Sequence, residues 1–280
     1  MIASRSAISA DAVALHYDEL DQFYRDVWGE HVHHGLWLRG DETREQAVRQ
    51  LVQTVAGEAQ ISQGSHVCDI GCGCGATARM LAREYGAEVT AITVSPAQHA
   101  FAERQSPDDQ NLNYVLGDWL STELASGPFD SAIAIESSEH MSDKGAFFSR
   151  AYRVLRPKGR LVVCAWLSCE APSRRAERWL LEPICCEGRM PHMGTESDYR
   201  DLAASAGFAV DRVQDVSDQV AQTWPMIVRL FVGKLLRKPA YVRFLLSSQA
   251  RNRVFALTIF RIWLAYRTSA MRYAIFTLVK

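Results

Sequence analysis

The last 62 residues, Gln219 to Lys280, contain no Asp or Glu, against eleven Lys and Arg. The whole chain has 31 basic and 32 acidic residues, which leaves 20 basic and 32 acidic before Gln219. A cationic segment is therefore joined to an acidic body. With that body acidic and no RNA- or DNA-binding motif in view, nucleic acid is not an expected partner. Long apolar runs are also missing. The longest near the C-terminus, VFALTIFRIWLAY, is interrupted by Arg261 and is too short to span a bilayer. The opening MIASRSAISADAVALHYDEL has no apolar h-region of the kind a signal peptide needs. Cysteine is present but not paired at metal-ligand spacing. There are seven, and Cys68, Cys72 and Cys74 fall together on one strand and turn. These absences predict a cytoplasmic protein without structural disulfides and with no bound metal.

What is present suits a packed core: 280 residues, 48% hydrophobic and 22% charged. Residues 11–60 read as helices, with Ala47, Val48, Leu51, Val52 and Val55 of REQAVRQLVQTV at helical intervals. Strand and helix then alternate. HVCDI reads as a strand, and ATARMLAREYG as a helix closed by Gly86. EVTAITV is a strand, and SPAQHAFAERQ a helix capped by Ser95 with Pro96 in its first turn. LNYVLGD and FDSAIAIES are strands, DKGAFFSRAYRVL a helix, RPKG a turn, and RLVVCAW a fifth strand. ESDYRDLAASAGF is a helix ending at Gly207; FAVDRVQDV and MRYAIFTLV are further strands. The alternation predicts a doubly wound, Rossmann-like α/β sheet, mostly parallel with an antiparallel last strand. Residues 1–60 would form an N-terminal helical lid, 61–170 a cofactor-binding core, and 171–280 the rest of the sheet. That last part carries a basic, apolar helical cap at about 219–268, broken by Pro239.

The turn VCDIGCGCG joins the first strand to its helix through Gly71, Gly73 and Gly75. Such a turn bares backbone N–H groups and removes Cβ atoms, so an extended ligand can lie against the main chain. The spacing differs from the dinucleotide fingerprint G-x-G-x-x-G. Asp69, two residues before the first glycine, suits a positively charged ligand rather than a pyrophosphate.

Together with YDELDQFYRDVWGEHVHHGLW, ITVSPAQ, GDW, IESSEHMSDK and FFSRAYRVLRPKGRLVV, this turn resembles the class I S-adenosylmethionine-dependent methyltransferases. It is most similar to the branch of γ-tocopherol, plant alkaloid N- and bacterial natural-product methyltransferases, with cyclopropane fatty acid synthases further off. The resemblance implies S-adenosylmethionine as cofactor and S-adenosylhomocysteine as its product. It also implies roles. Asp69, Gly71, Gly73 and Gly75 would hold the methionine moiety. Thr93, Ser95 and Gln98 would replace the acid that most class I enzymes offer to the ribose. Asp118 would accept from the adenine amino group and Trp119 pack on its ring, while Tyr17 belongs to the lid and Glu136 lies beside the cofactor.

The reaction is displacement at a methyl carbon, for which alignment and exclusion of water can supply roughly 7–11 kcal/mol. A base helps with a hydroxyl or protonated amine. Among Glu136, Glu139, His140 and Asp143, His140 is the preferred base because its ordinary pKa of about 6.5 is near neutrality. Glu139 is its catalytic neighbour. In cyclopropane synthases the matching pair binds bicarbonate, so an anion-holding role stays open. After the fifth strand, Cys164-Ala165-Trp166 offers no second carboxylate. His31, His33 and His34 crowd the lid; His33, His34 and Trp224 are assigned to acceptor binding. The cap would roof an apolar acceptor pocket, lie on an anionic membrane surface, or pair with the acidic body of the same or a neighbouring subunit. The expected activity is methyl transfer to a hydrophobic small molecule: a prenylated phenol, polyketide or alkaloid, on O, N or C. The rivals are cyclopropane-type alkylation of a lipid alkene, and a cofactor-holding scaffold that cyclises its ligand.

Overall fold

The computed structural model describes residues 1–107, 109–237 and 255–280. Its elements run β1 (Ile2–Ala3), α1 (Ala10–Val27), α2 (Arg44–Glu58), β2 (His66–Ile70), α3 (Ala76–Tyr85), β3 (Glu88–Thr93), α4 (Pro96–Gln105), β4 (Leu112–Leu116), β5 (Phe129–Ile135), α5 (Lys144–Val154) and β6 (Leu155–Ser168). After β6 come α6 (Arg174–Ala176), a π-helical turn (Glu177–Leu181), α7 (Glu182–Glu187), β7 (His192–Met193), α8 (Glu196–Ser205) and β8 (Ala209–Asp215). The remaining elements are α9 (Ser217–Ala221), α10 (Thr223–Arg237), α11 (Phe255–Arg267) and β9 (Met271–Val279). Pro239, the expected break in the cap, lies outside the described residues.

Seven strands form one sheet in the order β4-β3-β2-β5-β6-β9-β8. The pairs β2–β3, β3–β4, β2–β5 and β5–β6 are parallel, and β9 runs antiparallel to both β6 and β8. Alternate strand residues serve opposite faces, as the pleat requires. Val67, Ile133, Val162 and Ile275 pack with α2, α3 and the cap through Leu51, Val55, Leu81 and Ile262. Cys68, Ala132, Val163 and Phe276 pack with α5 and α8 through Phe147, Phe148 and Tyr199. The helices start where their caps are. Thr43 forms a capping box with Gln46 on α2, and Ser95 accepts from Gln98 N on α4.

The sequence reading is corrected at RPKG. It reads as a turn, yet Leu155–Ser168 is one continuous strand. Lys158 sits at φ +67°, its N–H donates to Lys280 O, and Lys280 N donates back to Gly159 O. The register against β5 shifts between Phe129 and Ser131. The chain's last residue thus pairs the backbone groups that a free turn would leave open. The sequence reading also leaves β1 and β7 unassigned. Both are two-residue strands that pair antiparallel with each other, too short to carry a period.

Candidate functional site

The turn after β2 is built from glycines for two different reasons. Gly71 has φ +82°, and a Cβ on it would stand 2.3 Å from Ser137 Cβ. Gly73 has φ +54°, and a Cβ there would meet nothing nearer than Gln98 Nε2 at 3.8 Å. Gly71 therefore answers to the neighbouring chain, while Gly73 faces open space. That space is a half-open cleft at the edge of the sheet. Tyr17, Gly71, Gly73, Thr93, Gln98, Asp118, Trp119, Glu136 and His140 all line it.

Each wall has its own chemistry. Thr93 Oγ1 donates to Gln98 Oε1 at 3.0 Å, which leaves the Gln98 amide hydrogens for a ligand. One Asp118 oxygen accepts from Leu120 N at 3.0 Å. Trp119 is held edge-on against Phe147, with the Arg150 guanidinium over its ring at 5.0 Å. Two expected residues stand elsewhere. Ser95 is fully buried; its hydroxyl caps α4 and donates to Asp18 Oδ1 at 2.5 Å, tying α1 to α4. Gly75 lies behind the turn, where a Cβ would meet the Tyr114 ring at 2.7 Å.

A recess continues from the cleft past Gly71 and Gly73, and Asp69 lines it with His31, His33 and Thr77. Asp69 is 3% exposed and its Oδ2 has no hydrogen-bond partner. Burial pushes its carboxyl up to about 7. An unpartnered buried carboxyl beside bare backbone fits a ligand with an ammonium group. His33 was expected with the acceptor but faces this recess instead. Its Nδ1 donates to His34 O at 2.8 Å, so its Nε2 is an acceptor and receives Nδ1–H of His31 at 3.2 Å. Burial, with the neighbouring His33, pushes His31 down to about 3, so the recess presents neutral imidazole. No group of three or more His, Cys, Asp or Glu among the described residues is placed to hold a metal ion.

A second cavity lies on the other side of Tyr17, Val32, Glu136 and His140, which line both spaces. His34, Glu139, Trp166 and Trp224 line the second alone. Glu136 anchors the partition from a left-handed backbone, φ +54°. Its Oε1 accepts from His34 N (2.7 Å), His34 Nδ1 (2.9 Å) and Tyr273 Oη (2.8 Å), and its Oε2 from Trp166 Nε1 (2.8 Å). Trp224 Nε1, which can only donate, gives its hydrogen to His34 Nε2 at 2.7 Å. His34 is therefore the neutral tautomer with its hydrogen on Nδ1. Burial raises the Glu136 carboxyl, but the hydrogen bonds from His34 N and His34 Nδ1 work against it, and the group is held below its ordinary value. A carboxylate with four donors has no call for a proton, which removes Glu136 from the candidate bases. Tyr273→Phe is expected to cost about 1.5–3 kcal/mol of stability, as loss of a hydrogen bond to a charged group does, read from denaturant unfolding.

His140 is placed differently. Its Nδ1 faces Arg189 O at 3.0 Å and must carry the hydrogen. Its Nε2 then holds a lone pair, directed at Tyr17 Oη 2.9 Å away. Burial lowers its pKa, so the ring is neutral near pH 7. Glu139, beside it in sequence, accepts from Trp166 N at 2.5 Å and from Ser138 Oγ at 3.2 Å. Burial pushes its carboxyl up to about 7. Tyr273 and Trp166 escaped the sequence reading as site residues because each reads as an ordinary strand aromatic. Tyr24, Trp28 and Met190, which also line the second cavity, carry no motif.

A parallel sheet with one antiparallel strand, and a cleft over the turn that leaves β2, is the class I methyltransferase architecture. The chain belongs to the mycolic acid cyclopropane synthetase family of S-adenosylmethionine-dependent methyltransferases, whose model matches residues 4–236. It is 32% identical to a probable chloroplastic tocopherol O-methyltransferase of Oryza sativa, over 78% of this chain and 65% of that protein. The match thus spans just under two thirds of the rice protein. It is 30% identical to an O-methyltransferase of Aspergillus sclerotiorum, over 76% of this chain and 81% of that one. The structure superposes on a cyclopropane synthase of Mycobacterium tuberculosis with a TM-score of 0.84 at 22% identity, covering 99% of this chain and 100% of the other.

Proposed function

We propose that the protein transfers the methyl group of S-adenosylmethionine to a hydroxyl oxygen of an apolar small molecule. The observation that carries this is the partition: Tyr17 and His140 line both cavities, and the lone pair of His140 Nε2 is held in that shared wall by Tyr17 Oη. The O-methyltransferase names of the rice and Aspergillus relatives support oxygen as the target. In this reading residues 1–60 form the lid, 61–170 the cofactor core and 171–280 the rest of the sheet with the acceptor roof.

The cofactor supplies an electrophilic methyl carbon on a sulfonium. Asp69 would pair with the ammonium of its methionine end in the recess, Gly71 and Gly73 leaving the backbone bare beside it. Gln98 and Thr93 would meet the ribose, and Asp118 and Trp119 the adenine. On the acceptor side, an incoming hydroxyl replaces Tyr17 Oη at His140 Nε2. His140 takes the hydroxyl proton, and Arg189 O keeps the ring's other nitrogen protonated and the ring in place. Thr258 and Ile262 of α11 close the cavity from above. The same helix turns Leu257, Phe260 and Leu264 outward in a stretch free of acids, which supports peripheral contact with an anionic membrane. No helix among the described residues is long and apolar enough to cross one.

The reading is tested with methyl-labelled cofactor and a panel of lipophilic phenols, amines and fatty-acyl lipids. The expected result is label in the organic phase as a phenol methyl ether. A labelled lipid heavier by a methylene and dependent on bicarbonate, or cofactor bound with no label transferred, overturns it. Cofactor affinity also has a predicted pH dependence. Asp69 must ionise to pair with an ammonium, and in the free protein it titrates at about 7. Binding therefore releases a proton below that pH, and affinity is expected to rise with pH up to about 7 and to level off above it. Asp69→Asn should bind weakly with no such rise, by calorimetry from pH 5.5 to 8.5, roughly the span over which a group of that pKa titrates.

A further inference from the structure

The second cavity has walls of an unusual kind for a site that takes a neutral lipophile. Five aromatic rings follow one another around it. Tyr17 and Tyr24 have ring centroids 5.5 Å apart, Tyr24 and Trp28 5.5 Å, Trp28 and Trp224 6.4 Å, and Trp224 and Trp166 5.9 Å. All five line the cavity. Two carboxyl groups, Glu136 and Glu139, line it as well, and among the described residues no Lys or Arg does. The two histidines there do not offset those acids. His34 is fixed as a neutral ring by the Trp224 N–H on its Nε2, and His140 donates from Nδ1 while its Nε2 receives Tyr17. Glu136, with four donors on its oxygens, is ionised. Glu139 has donors on both oxygens and, among the described residues, no ion-paired cation; the buried Lys144 ammonium stands near enough to lower its carboxyl but is turned to the carbonyl oxygens of Glu139 and Met141. The interior is therefore lined by aromatic rings and carries the ionised Glu136 carboxylate.

Such walls discriminate by charge. Aromatic faces attract an ammonium through their quadrupole, most strongly when water is excluded, and repel an anion. A fixed negative charge in a low-dielectric cavity adds to both effects. From this we infer that the acceptor carries a cationic nitrogen, a protonated or quaternary amine, as well as the hydroxyl that is methylated, with the belt of Tyr and Trp rings and Glu139 as its receptor. The inference rests on the reading of this cavity as the acceptor site and narrows the acceptor class within it. Phenols bearing a carboxylate are rejected for the same reason.

Three phenols of matched size test it: 4-(2-aminoethyl)phenol, 4-propylphenol and 3-(4-hydroxyphenyl)propionate, which are cationic, neutral and anionic at pH 7. Calorimetric titration into the full-length protein saturated with S-adenosylhomocysteine gives three affinities without turnover. The amine is expected to bind at least tenfold more tightly than the neutral phenol, and the carboxylate more weakly than either. Glu139→Gln should reduce the ratio of the amine's affinity to the neutral phenol's. Trp224→Phe, which keeps a ring but thins the belt, gives a second and milder reduction. Equal affinity for the three, or a preference for the carboxylate, overturns the inference while the acceptor site stands. If none of them binds and none is methylated with labelled cofactor, the inference falls together with the reading beneath it.

Discussion

Gly73→Val is expected to abolish binding of S-adenosylmethionine while the protein remains folded. The two glycines of the turn separate these effects. At Gly71 an added Cβ collides with Ser137, so substitution there acts through the fold. At Gly73 the nearest neighbour is the tip of Gln98, and the added side chain occupies the cleft where the cofactor's methionine end would lie. Valine at positive φ carries a backbone strain of order 1–3 kcal/mol, so some loss in thermal stability accompanies the change. The measurement is a pair: calorimetry for affinity and a thermal melt for the fold. Loss of binding with a cooperative melt is the expected result. Parent-like affinity in a folded Gly73→Val protein would remove the turn from the binding site and, with it, the proposed activity.

His140→Ala is expected to lower kcat by about 10²–10⁴-fold, the usual contribution of a general base, with cofactor affinity near that of the parent. The pH profile makes this specific. Burial lowers the His140 pKa, and only the neutral ring can accept a proton. The rate should therefore rise with pH and level off above a limb lying below the ordinary histidine value of about 6.5. The variant should lack that limb. Tyr17→Phe, which removes the hydroxyl now on Nε2 and keeps the ring, should move the limb rather than erase it. A parent-like profile in His140→Ala assigns the proton to another group, of which Glu139 is the nearest in sequence.

The parts of this site that sequence alone reveals are local ones. Asp69 and the glycines lie within seven residues of one another, and their spacing is itself the geometry. The cap at Ser95 is local too, and its helix starts where the sequence places it. The partition is of another kind. Glu136 meets His34 across 102 residues and Tyr273 across 137, and Trp224 meets His34 across 190. None of these pairs has a period or a motif, because what brings them together is the packing of loop, helix and strand ends far apart in sequence. The same holds for His33 and His34. Adjacent in sequence, they were assigned one role, but neighbouring side chains point apart and face different cavities. Ser95 errs in the opposite direction: the cap that made it legible is also what occupies its hydroxyl. At RPKG the local turn chemistry was outweighed by pairing with Lys280.

The position of β9 has a consequence for how the polypeptide matures on the ribosome. It is the final strand in the chain, yet it sits between β6 and β8 and supplies the neighbour of each. Five strands, β2 to β6, can assemble as soon as Ser168 has been made. Over the next hundred or so residues β6 remains a bare edge and β8 has no partner in the sheet. Nascent chains stalled in that interval expose a template for strand addition and should depend on chaperones until residue 279 emerges.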